Sequence, residues 1–95
     1  MSAKSKTDEF IATGRRKTST ARVRIKQGTG IFVINGKDYA EYCSTEQNRK
    51  IVLSPLTTID MVGGVDVTVN VSGGGGSGQA GAIRHGLSWA LEKMD

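Results

Sequence analysis

Residues 65–93 read VDVTVNVSGGGGSGQAGAIRHGLSWALEK, and this stretch decides the fold. Val65, Val67, Val69 and Val71 alternate with Asp66, Thr68 and Asn70, so a strand here buries one face and wets the other. Four glycines at 73–76 break the alternation, and the apolar period then lengthens to that of a helix, predicted over about Ser77 to Lys93. Ala80, Ile83, Leu87, Ala90, Leu91 and Met94 form one stripe, which packs on the sheet. Gly78, Gly81, Arg84, His85 and Ser88 lie across the other side, which is small, polar and cationic.

Working back toward the N-terminus, Phe10 to Lys26 reads as two extended segments around Arg16-Lys17-Thr18. In the second, Ala21, Val23 and Ile25 alternate with Thr20, Arg22, Arg24 and Lys26, giving one apolar and one cationic face. Gln27-Gly28-Thr29-Gly30 reads as a hairpin turn into Ile31–Ile34, whose unbroken apolar run suits a strand covered on both faces. Asn35-Gly36 closes that strand. Asp38-x-x-Glu41 and Ser44-x-x-Gln47 are successive capping boxes, predicting a short helix and then a longer one. The longer one should stop at Ser54, because Pro55 disfavours helical geometry in the residue before it. The order β-β-β-α-α-β-α makes an α+β fold: a single domain with a mainly antiparallel sheet and helices on one face. Residues 1–9 read as a mobile tail, and residues 10–95 as the domain.

Ninety-five residues suffice for one domain, and with 37% hydrophobic and 5% aromatic residues its core is modest. The net charge is +4, and its placement says more than its size. Residues 1–30 carry eight basic side chains against Asp8 and Glu9, whereas residues 31–95 carry five basic and seven acidic. Such asymmetry points to a polyanion, nucleic acid or an anionic membrane; the bland alternative is a solvated face. A lipid surface would favour an amphipathic helix with large apolar anchors, and here the charges sit on a strand and a turn. No apolar run approaches the roughly 20 residues of a membrane span, MSAKSKTDEF lacks a secretory apolar core, and lone Cys43 suits a reducing, cytoplasmic setting.

Gly73 to Gly78 satisfies G-x-G-x-x-G between a strand and a helix. A dinucleotide site also needs a second strand and an acidic residue about 20 positions on, for which the remaining residues leave no room. No Lys-Ser or Lys-Thr follows, as a Walker loop demands. No nucleotide cofactor is therefore expected; binding of a nucleic-acid phosphate, or a turn packed tightly through its glycines, both remain open. His85 with Cys43 or a serine would make a nucleophile–base pair only with a third, orienting residue, which the sequence does not place. The carboxylates show no metal-ligand spacing. No enzyme, metal or cofactor is expected. The basic strand lacks the aromatics that stack single-stranded bases, so recognition should read the backbone and shape of folded RNA. Two glycines, Gly78 and Gly81, on an exposed helix face weaken the helix, and close approach of a phosphate backbone to the helix N-terminus, with Arg84 adding charge one turn later, would compensate.

GRRKTSTARVRI at 14–25, INGKDYAEY at 34–42 and GGGGSGQAGAIRHGLSWAL at 73–91 together resemble ribosomal protein nine of the small subunit. The resemblance runs from about Thr13 onward. It implies the fold of the second domain of ribosomal protein five of the small subunit, with a left-handed βαβ crossover where the general rule gives a right-handed one. It also implies a structural place in the small-subunit head, on the 3′ major domain of ribosomal RNA, beside other head proteins. By motif match it implies RNA contacts from Arg15, Arg16, Lys17, Thr18 and Ser19, and from Gly75, Gly76, Ser77, Gln79, Arg84 and His85. Arg22, Arg24 and Lys26 join them from the cationic strand face, and Gly81 from the helix. The family continues into a basic tail that reaches the peptidyl-site tRNA; this sequence reads Asp95 directly after the helix, so no tRNA contact is expected. Two rivals are a small nucleotide-dependent enzyme using the glycine loop and a free-standing nucleic-acid chaperone or regulator. Nucleotide titration separates the first; co-sedimentation with small subunits through high salt separates the second.

Overall fold

The computed structural model describes residues 9–59 and 63–94. Strands β1 (Phe10–Arg16) and β2 (Ser19–Gln27) form an antiparallel hairpin, closed by a turn in which Lys17 takes φ +57°. Next come β3 (Phe32–Ile34), β4 (Lys37–Asp38), helix α1 (Tyr39–Tyr42), helix α2 (Glu46–Thr58), β5 (Val65–Ser72) and helix α3 (Gly76–Met94). The expected mobile tail falls, but for exposed Glu9, outside the described residues.

The alternations read from the sequence set the sheet's two faces. Ala21, Val23, Ile25, Val65, Val67, Val69 and Val71 are buried, and α3 lies across that face, chiefly over β1 and β2. Ile83, Leu87 and Ala90 meet them from the helix, and α2 packs on α3 with Val52 and Leu56 buried. Each buried valine or leucine of this kind stabilises the fold by about 1.5–3 kcal/mol relative to exposure. Among the described residues no element covers the opposite face of the sheet, which they leave bare. The result is α+β, with a mixed, mostly antiparallel five-stranded sheet in the order β1-β2-β5-β3-β4.

That order overturns the hairpin expected at residues 27–30. β5 lies between β2 and β3, antiparallel to the first and parallel to the second. The loop instead crosses the end of β5, where one carboxylate oxygen of Asp66 accepts the amides of Thr29, Gly30 and Ile31 at 2.9, 3.1 and 3.0 Å. Those three bonds hold the Asp66 carboxyl below its ordinary value, the Ile31 amide contributing most. Ile31 is consequently outside the strand and 54% exposed. A turn signal shows that the chain reverses, and not which strand it rejoins. Asn35-Gly36 does close β3, with φ +52° and +82°, into the short β4 that the sequence pattern did not reveal.

Two helix boundaries also differ. The cap of α2 is Thr45, whose Oγ1 accepts from the Asn48 amide, one residue beyond the Ser44 expected. The helix then continues through Pro55 to Thr58. Proline removes the amide that would bond the carbonyl four residues back, here that of Ile51. The Ser54 hydroxyl takes its place, donating to that carbonyl at 2.8 Å. Asp38 caps α1 as expected, accepting from Ala40.

Candidate RNA interface

The cationic strand reads out as a cationic surface. Arg22, Arg24 and Lys26 are exposed on the bare face of the sheet. Register sets their neighbours: Arg15 beside Thr20, Thr13 and Asn70 flanking Arg22, Ile11 and Thr68 flanking Arg24. Successive same-face positions on a strand are about 6.6–6.8 Å apart, so Arg22 and Arg24 repel each other until an anion is shared. Asp66 sits opposite Lys26, and one of its oxygens is already committed to the three loop amides.

A second basic group occupies the far side of the sheet, at the β1–β2 turn. Strand alternation sends Arg16 toward α3, where its stem crosses Gly81; a β-carbon there would overlap Arg16 Cδ. The place that Gly81 was expected to leave for a phosphate backbone is thus filled by an arginine stem. Arg16, Lys17, Thr18, Gly75, Gly78 and Arg84 line a recess of about 360 Å³. The first-turn amides of α3, around Gly76 and Ser77, have no intrahelical acceptors and add positive potential there. An adjoining cleft of about 980 Å³ runs between α2 and α3, with Arg16, Arg84 and His85 beside Pro55, Ile59 and Leu91.

The glycine loop has its shape for internal reasons. Gly73 and Gly74 take φ +79° and +67°, and a β-carbon on either would strike Thr18 or Ser19. Ser19, expected at the RNA, is instead 1% exposed, and its hydroxyl donates to the Gly73 carbonyl at 2.9 Å. Gln79 is likewise spent on the scaffold, donating to Gly73 at 3.1 Å and accepting from the Tyr42 hydroxyl at 2.8 Å. Asn35 extends this network, exchanging bonds with the Val71 backbone at 2.8 and 3.0 Å and donating to Tyr42 at 3.3 Å. Ser19 follows Arg15-Arg16-Lys17-Thr18 and Gln79 follows the glycine run, contexts in which a phosphate donor and a loop brace look alike.

His85 is exposed, with Nε2 accepting from the Trp89 indole at 2.7 Å and Nδ1 3.4 Å from the Arg15 carbonyl. Cys43 is buried, and burial pushes its thiol up against a smaller opposing effect of Arg49, which disfavours the reactive thiolate. Sequence reasoning missed Gly14 and Gly86, which let α3 settle on β1. It also missed Trp89, an exposed aromatic that no periodicity marks. Among the described residues no helix is long and apolar enough to cross a membrane.

The family model described as Ribosomal protein S9/S16 matches residues 14–95, from the start of the basic hairpin block through α3. That match spans most of the chain and includes both cationic surfaces. Its members are structural, non-enzymatic components that bind ribosomal RNA in the small subunit. The chain belongs to the ribosomal protein S9/S16 family.

Proposed function

We propose that this domain anchors ribosomal RNA of the small-subunit head, in the 3′ major domain, through two basic surfaces on opposite sides of one sheet. The observation that carries the reading is the bare sheet face, where Arg15, Arg22, Arg24 and Lys26 stand on adjacent strands among threonines and Asn70. Guanidinium groups and hydroxyls are the usual partners of phosphate oxygens, and the face offers no aromatic for base stacking. The corner built from Arg16, Lys17, Thr18, Arg84 and the first-turn amides of α3 holds a second RNA segment. Ser19 and Gln79 act there by fixing the loop. In this reading the protein supports translation in cytoplasmic ribosomes, beside other head proteins, and no tRNA contact is assigned to residues 10–95.

Salt dependence tests the reading. If about four to six phosphates are neutralised, log affinity for small-subunit ribosomal RNA should fall against log salt with a slope of roughly −3 to −5. Arg22→Gln with Arg24→Gln should flatten the slope by about 1.4–1.8, two phosphate contacts' worth, without altering the fold. An unchanged slope removes the sheet face from the RNA interface.

A further inference from the structure

Trp89 is the chain's single tryptophan and is 49% exposed, yet it is not free to rotate. Its Nε1 donates to His85 Nε2 at 2.7 Å, which puts the imidazole's own proton on Nδ1, 3.4 Å from the Arg15 carbonyl. One turn further along α3, Lys93 Nζ donates to the Ile11 carbonyl at 2.8 Å. His85, Trp89 and Lys93 therefore stand in file against the outer edge of β1, which no described strand pairs. Four residues of helix advance about 6 Å and two residues of strand about 6.6–6.8 Å, so the file keeps step with Arg15, Thr13 and Ile11.

We propose that Trp89 is a stacking platform for one unpaired base of the bound RNA. This rests on the RNA-binding reading above and adds a base contact to it. The indole marks the border between the two cationic surfaces, with Arg15 belonging to the open face and Arg84 to the helix side. A strand whose phosphates meet both surfaces must cross this edge. The hydrogen bond to His85 fixes the ring beforehand, so little side-chain freedom is lost when a base settles on it. Half of a large apolar ring remains in water, which a purely internal role would have buried. Glu92 lines the cleft between α2 and α3, and Trp89 stands outside that cleft. The competing role is to shield the β1 edge from pairing with another strand, a protection that sheets commonly build from side chains.

The single tryptophan supplies the readout. The full chain is saturated with small-subunit ribosomal RNA, saturation being set by filter binding, and indole emission and its quenching by acrylamide are recorded. Stacking should quench the emission and lower acrylamide access severalfold. Trp89→Ala should weaken RNA affinity about 5- to 100-fold, whereas Trp89→Phe should stay within about threefold of the parent. Thermal midpoints of both variants separate binding from folding. An indole equally accessible in the saturated complex overturns the proposal and leaves the cationic surfaces standing. So does Trp89→Ala that binds RNA normally, with or without self-association; self-association would identify the edge-shielding role. Failure of the parent chain to bind the RNA overturns both readings together.

Discussion

Gly14 of β1 and Gly86 of α3 meet backbone to backbone, and this contact sets how closely the helix lies on the sheet. A β-carbon on Gly14 would overlap the Ala82 carbonyl and the Gly86 amide. One on Gly86 would sit 2.8 Å from Val23 Cγ2 and 2.9 Å from the Gly14 amide nitrogen. Alanine in a helix gains roughly 0.5–1 kcal/mol over glycine, while overpacking a close-packed contact costs typically 1–3. The steric term should win. Gly14→Ala should destabilise by about 2 kcal/mol or more and Gly86→Ala by somewhat less, measured by urea unfolding; a stabilised Gly86→Ala would refute the close contact.

Ser54 and Pro55 should be energetically coupled. Leaving the Ile51 carbonyl without its donor costs about 1–3 kcal/mol if the site stays half-buried, so Ser54→Ala should destabilise by about 1 kcal/mol. In a Pro55→Ala background the residue 55 amide is restored, and Ser54→Ala should then cost under about 0.5 kcal/mol. A double-mutant cycle checks this, and additivity would disprove the substitution of hydroxyl for amide.

Asp66 should contribute acid sensitivity. Its carboxyl lies below its ordinary value because the folded loop donates three amides to it, led by Ile31. A group depressed by folding adds stability that is fully present above its unfolded value, about 3.9, and is lost as pH falls through the folded value. The stability gap between the parent and Asp66→Asn should thus be constant from neutral pH down to about 5 and close below about 4. Unfolding titrations at successive pH values check it; a gap that persists in acid would mean that the loop does not rely on the charge.

Gly81→Leu should act through Arg16. The new side chain displaces the arginine stem that crosses Gly81, and both groups lie toward solvent. Stability should change by less than about 1 kcal/mol, the helix gaining propensity as it loses the contact. RNA affinity should fall as far as it does in Arg16→Ala, and Gly81→Leu should add little in that background. If the two losses simply add, Gly81 has a contact of its own.

The parts of this fold legible in the sequence are those where one residue's neighbours in the chain decide its fate. Val65 to Val71 and Ala21 to Ile25 alternate because each strand has one buried face, and the Ile83–Leu87–Leu91 stripe repeats because α3 does. The cationic face followed from the same alternation. What stayed hidden depends on residues distant in sequence: that β3 would rejoin β5, that the Ser54 hydroxyl would excuse Pro55, that Gly14 would meet Gly86. Ser19 shows the same limit at the site. A hydroxyl beside Arg16 and Lys17 reads as a phosphate donor, and only the arrival of Gly73, 54 residues later, makes it a brace.

The central position of β5 also orders events in time. As the chain is synthesised, the residues before β5 contain both sheet edges but not the strand that joins them, so the basic β1–β2 hairpin and the short β3–β4 pair each have only their own local partner. β5 must then enter between two segments already made, and α3 covers the joined sheet last. Contacts spanning so much of the sequence form slowly. A nascent chain will therefore present its arginines to the polyanions around it well before it can bury its valines.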